Sequence, residues 1–123
     1  MDRAALLMAE VQILGTLCTQ AGTVEQRNEL AHTLDCYSFL EPEHQIVFGS
    51  IRALLPHSRL SNTHLAVHLN NRGFPDVDLQ KYCAAALANI DDALQLARRL
   101  RSFGYGSGAD VRYDSNGKAK YET

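Results

Sequence analysis

The punctuation of this sequence restricts its fold more than any other feature. Leu and Ala supply most of the apolar mass, and such side chains favour helix because they lose little rotamer freedom there. That helix-prone chain is interrupted at Ala21-Gly22-Thr23, Pro42, Pro56, Gly73 and Pro75, and again from Gly104 onward. Between the breaks the apolar residues keep a helical period, so the expected fold class is all-α: a compact bundle of about six short helices.

The first segment spans residues 4–19, where Leu7, Val11, Leu14 and Cys18 fall on one face and Ile13 and Leu17 widen it. Glu10 sits one turn before Ile13 and Leu14, at the edge of that stripe. Thr23 or Val24 opens a second helix running to about Leu34. Glu41-Pro42-Glu43 is a strong helix start, because proline suits the first helical position and acids suit the positive end of the dipole. His44, Val47, Phe48, Ile51 and Leu55 then share a face until Pro56 ends the helix. Ser61 or Asn62 caps a fourth helix that buries Leu65 and Leu69 and stops at Gly73. After the Phe74-Pro75 turn, Asp76 or Asp78 caps a helix whose seam reads Leu79, Tyr82, Cys83, Ala86, Leu87 and Ile90. Asn89, with Asp92 three residues later, marks a weaker restart leading to Ala93, Leu96, Ala97 and Leu100; one continuous helix is the alternative.

The domain organisation that follows is a helical domain over 1–103 and a tail over 104–123. Gly104-Tyr105-Gly106-Ser107-Gly108 has linker composition. Asn116-Gly117 suits a hairpin turn between Val111–Tyr113 and Ala119–Tyr121, although an isolated hairpin is marginal in water and disorder is the favoured state.

Charge and cysteine usage narrow the classes further. With 12 basic and 14 acidic side chains the formal net charge is −2, unlike a protein that holds nucleic acid through phosphates alone. The dense basic cluster is Arg98, Arg99 and Arg101, at a helix end where positive charge also complements the dipole. Three cysteines, an odd count, argue against a secreted disulfide framework. No positive leader and no uninterrupted hydrophobic segment are present, so the expectation is a cytoplasmic protein without a membrane span.

No chemical motif stands out. His64 and His68 have the spacing of two metal ligands on one helix, but Leu65 occupies the place of a zinc-protease glutamate and no third ligand follows at a recognised spacing. They read as solvated histidines flanking Leu65 and Leu69. His44, on an apolar face, reads as a core histidine with Glu10 as its partner. A Cys–His nucleophile pair would draw on Cys36, and nothing marks a third, orienting group. Gly104-x-Gly106-x-x-Ala109 imitates a dinucleotide fingerprint but follows a helix instead of a strand. No Gly-x-x-x-x-Gly-Lys-Ser/Thr run exists to cradle a nucleotide. No catalytic, cofactor-binding or metal-binding residue is therefore assigned, and no cofactor is expected.

The ordered set of markers resembles a known family. Glu10-Val11-Gln12-Ile13-Leu14-Gly15-Thr16-Leu17 resembles the opening helix of the amino-terminal domain of bacterial replicative DNA helicases of the DnaB type. Phe39, then Pro42-Glu43-His44, then Ile46, Val47 and Phe48, then Ile51 and Leu54 continue it. A looser match runs from Ser61-Asn62-Thr63 through Leu65, Leu69 and Arg72-Gly73 to Asp78-Leu79 and Tyr82, so that the resemblance covers about residues 5–100. It implies a helical collar domain with no active site of its own, in which Glu10, Leu14, Gly15, Phe39, His44 and Phe48 define the fold. The family's motor domain, and the helical hairpin that follows its globular head, have no counterpart here, and the polar tail points to an independent protein. The partners implied are a helicase, primase or helicase loader, with a homodimer as a further prospect.

Two rival expectations come from the residues alone. One is a small nucleic-acid-binding protein using Arg98, Arg99, Arg101 and the tail. The other is an enzyme or metal protein built on His44, His57, His64 and His68. If Phe48 lies in the core, Phe48→Ala is expected to cost about 3–5 kcal/mol.

Overall fold

The computed structural model describes residues 2–55 and 61–106. Six helices follow one another: α1 (Arg3–Cys18), α2 (Val24–Thr33), α3 (Pro42–Leu54), α4 (Asn62–Asn71), α5 (Leu79–Ala84) and α6 (Ile90–Gly106). No strand occurs among the described residues.

Local chemistry sets most helix starts. Asp2 accepts from the Ala5 N–H at the head of α1. Thr23 and Gln26 form a reciprocal capping box on α2, each side chain satisfying a backbone N–H that the first turn leaves without a partner. Pro42 opens α3 after Glu41, Ser61 caps α4 and Asp78 caps α5. At the end of α4, Gly73 takes φ +92°, a left-handed conformation that costs glycine little. This lets the Gly73 and Phe74 N–H groups reach back to the carbonyls of Asn70 and Leu69.

Helix α1 is the axis of the bundle, packing on α3, α5 and α6, while α2 lies on α6 and α4 on α3. The core joins Ile13, Leu14 and Leu17 of α1 to Leu30, Val47, Ile51, Leu65, Tyr82, Ala97 and Leu100. From Ile13 to Cys18 every α1 residue is buried, since α5 and α6 cover the sides that the Leu7–Cys18 stripe does not account for. Leu7 and Val11, expected on that stripe as core, are only half-buried.

The closest backbone approach is at Gly15. A Cβ added there would fall 1.8 Å from the Tyr82 carbonyl oxygen, so only glycine allows α5 to sit against α1 at this depth. One residue on, the buried Thr16 hydroxyl donates to the Gln12 carbonyl and accepts from the Leu87 N–H. These contacts end α5 early. The Ala85 and Ala86 N–H groups reach back three residues, Leu87 turns to Thr16, and Asn89 accepts from Asp91 N–H as the chain re-enters helix. The seam read from Leu79 to Ile90 is therefore broken after Ala84, and the restart at Asn89 is the observed arrangement, not the continuous helix.

Two further expectations are corrected. Phe48 is half-buried, its ring stacked in a tilted pair with Phe39 at 5.1 Å, so it lies at the edge of the core and not inside it. Helix α6 continues through Gly106, three residues beyond the expected boundary at Phe103, so the start of the expected linker is helical. Gly104 and Gly106 of the dinucleotide-like string fall in this helix. Pro56, His57, the rest of the tail and its hairpin lie outside the described residues.

Gly15→Ala should lower stability by about 3 kcal/mol by urea denaturation, the upper end for overpacking, because a clash with backbone has no side chain to yield. Helix propensity alone would predict a gain of about 1 kcal/mol, so the sign of the change decides between the two. Phe48→Ala should cost less than about 3 kcal/mol, below the range for a fully buried ring.

Candidate functional site

The best-defined polar cluster is built on Glu10. Its position on α1 places the carboxylate at full burial, where an ionised group needs partners on both oxygens. Oε1 lies 2.7 Å from Nδ1 of His44, which α3 presents from its first turn. Oε2 accepts from the Tyr37 hydroxyl at 2.5 Å and from the Leu40 N–H at 2.9 Å. An ionised carboxylate only accepts, so Nδ1 of His44 carries the proton in this pair. Burial pushes the Glu10 carboxyl up, but the bonds from His44, Tyr37 and Leu40 N–H, with the His44 charge, outweigh it and hold the group below the ordinary carboxylate value. The Tyr37 hydroxyl is driven the other way, by burial and by its bond to the carboxylate.

A second cluster adjoins the first. The Tyr82 ring meets the His44 ring edge-on at 5.7 Å, and its hydroxyl donates to Glu43 at 2.5 Å. Lys81 Nζ lies 2.6 Å from the same Glu43 oxygen. Burial raises the Glu43 carboxyl, yet the bonds from Lys81 and Tyr82 leave it below its ordinary value. The two clusters tie α1, the segment before α3, α3 itself and α5 into one polar frame around the core.

Beside this frame an open groove of about 550 Å³ runs between α1 and the start of α3. Leu7, Met8 and Val11 form its apolar wall; Glu41, Glu43, His44 and Lys81 line the polar side.

The residues that the resemblance marks as fold-defining take these places. Glu10 and His44 are paired, Leu14 is fully buried, Gly15 carries the approach of α5, and Phe39 is buried between Tyr37 and Phe48, its ring edge-on to Tyr37 at 5.1 Å. The other candidates are dispersed. Arg98, Arg99 and Arg101 are exposed on α6, and Arg98 pairs with Glu29 of α2 at 2.9 Å. His64 contacts the Ser61 hydroxyl that caps its own helix. His68, expected as solvated, is half-buried with Nδ1 3.0 Å from the buried Ser50 hydroxyl. Cys36 is exposed, and burial pushes the Cys18 thiol up to about 12, with Cys83 adding to the shift. Among the described residues no group of three or more His, Cys, Asp and Glu side chains is placed to hold a metal ion.

Sequence reasoning paired Glu10 with His44 but missed Tyr37 and the Glu43–Tyr82 bond. Tyr37 lies outside any periodic segment and Glu43 is explained by its helix start, so neither carried a signal. No protein-family model, curated protein or solved structure compared with the chain matches it. What fold and cluster define is thus a class, a six-helix domain braced by a buried carboxylate.

Glu10→Ala should cost about 3–5 kcal/mol, because it strands a histidine, a hydroxyl and a backbone N–H. Tyr37→Phe, removing one bond to a charged acceptor, should cost about 1.5–3 kcal/mol. The folded Glu10 carboxyl titrates below its ordinary value of 4.5, so its contribution is whole above that pH and fades as pH falls through the folded value. Urea midpoints measured from neutral pH into acid should therefore drop below that point, and Glu10→Gln should flatten the drop.

Proposed function

We propose that this chain is a non-catalytic protein–protein interaction domain of the kind that heads DnaB-type replicative helicases. It would serve DNA replication in the cytoplasm by contacting a helicase, primase or helicase loader. The observation that carries the reading is the pairing of Glu10 with His44 across 34 residues of sequence. Glu10 and His44 come from two of the stretches on which the resemblance rests, and here they share one buried pair. In this reading their chemistry is used internally: the carboxylate, imidazole and Tyr37 hydroxyl hold the fold, and recognition falls to the outer helix faces. The sequence also lacks a nucleotide-cradling loop, so ATP hydrolysis would belong to a partner. Among the described residues no helix is long and apolar enough to cross a membrane.

The alternative is nucleic-acid binding through Arg98, Arg99 and Arg101, all three exposed on α6. It is weakened by the Arg98–Glu29 pair and by the net charge of −2.

The test is a binding titration of the purified chain against purified helicase, primase and loader from the source cell, with duplex and single-stranded DNA alongside. The expected result is saturable binding to at least one of the proteins, with a Kd of about 10 μM or tighter. Silence from all three, with DNA binding that falls steeply as salt rises, would move the function to the arginine cluster.

A further inference from the structure

The groove beside α1 joins two unlike walls, and the polar one has hydrogen-bonding capacity that the fold does not use. Ala4, Leu7, Met8 and Val11 make an apolar strip about 10 Å long on α1. Across from it His44 is 5% exposed, yet only its Nδ1 is engaged, by Glu10. Among the described residues Nε2 has no partner. It is not sealed in the interior either, because Arg27 Nε is the lone buried side-chain nitrogen or oxygen left unbonded there. In the neutral ring that gives Nδ1–H to Glu10, Nε2 carries a lone pair. The histidine therefore offers the groove an acceptor whose orientation is fixed by a buried carboxylate.

Two carboxylates add to it. Tyr82 and Lys81 both meet Oε1 of Glu43, which leaves Oε2 without a partner. Glu41 starts α3 without capping it and makes no hydrogen bond or ion pair among the described residues. With Glu10 behind the imidazole, three carboxylates stand against the single ammonium of Lys81, so an anion is repelled. A purely apolar ligand would strip water from these acceptors and give nothing back. The acceptors are also too dispersed to hold a metal ion between them.

We propose that the groove binds a small amphipathic organic cation, an ammonium group on a hydrocarbon body. Its N–H groups bond to His44 Nε2 and the free carboxylate oxygens, and its chain lies along Leu7, Met8 and Val11. A volume of about 550 Å³ is within the usual range of small-molecule sites, which combine apolar walls with a few placed polar groups. Lys81 does not oppose the ligand, because Glu43 already answers its charge at 2.6 Å. Such a site is independent of the proposed replication role, since this chain's own side chains define it and no other protein is needed to observe it.

The probe is octylamine, titrated into the full chain at neutral pH and followed by NMR of the Met8 methyl and the His44 ring nitrogens. Both signals should shift together and saturate with a Kd of about 1 mM. Octanoate has the opposite charge, and octyltrimethylammonium keeps the charge but has no N–H. Each should bind about tenfold more weakly or worse. Glu41→Gln and Met8→Ser, both at exposed positions, should each weaken octylamine about threefold to fivefold without lowering the melting temperature. No saturation at about ten times the expected Kd overturns the proposal, as does equal affinity for octanoate or octyltrimethylammonium. A Met8 shift with the His44 nitrogens unmoved, or a Glu41→Gln chain that binds as the wild type does, overturns it as well.

Discussion

A carboxylate with no access to water is expensive, and Glu10 has none. Its two oxygens draw three donors from separate parts of the chain: Tyr37 and Leu40 before α3, and His44 within it. Those partners cannot be supplied by α1, whose own polar groups are spent along the helix. The segment after α2 must therefore come back across α1 at this height, and α3 must begin where His44 can reach the carboxylate. Much of the path from Tyr37 to His44 follows from that one requirement. The edge-on contact of His44 with Tyr82 then carries the frame to α5, whose Tyr82 hydroxyl and Lys81 ammonium both meet the Glu43 carboxylate of α3.

Where Glu10 fixes the front of the bundle, Gly15 and Thr16 fix the back. The missing side chain at Gly15 lets the Tyr82 carbonyl press onto α1, and the Thr16 hydroxyl takes the Leu87 N–H that an ended helix would otherwise leave without a partner. A helix held at such short range has little room to continue along its own axis. The chain turns away after Ala84 and restarts at Ile90, capped by Asn89. Close approach and early termination are thus two results of one contact. The carboxyl half of α1 is enclosed by it, and the amino half keeps Ala4, Leu7, Met8 and Val11 along an open groove.

The cluster that looks most like chemistry also braces the fold. A histidine oriented by a carboxylate is half of many active sites, but here the pair is joined to a tyrosine and a backbone N–H that complete the carboxylate's shell. Under the proposed function, recognition would fall to surfaces that the fold does not consume, such as the groove beside α1 and the polar face of α6. Of the α6 arginines, Arg98 answers Glu29.

Six helices, their starts and most of their stops were legible in the chain, because capping, proline and glycine effects act within a few residues and leave a local record. The Glu10–His44 pair was legible too, as two polar residues each set beside an apolar stripe. Periodicity did not reveal that α5 ends at Ala84, that Phe48 sits at the edge of the core, or that α1 is enclosed on one half and open on the other. The helical period states which residues share a face, but not how many neighbours approach that face or how near they come. Those outcomes belong to contacts such as Gly15 with Tyr82 and Thr16 with Leu87, separated by 67 and 71 residues, which exist only once the helices are packed.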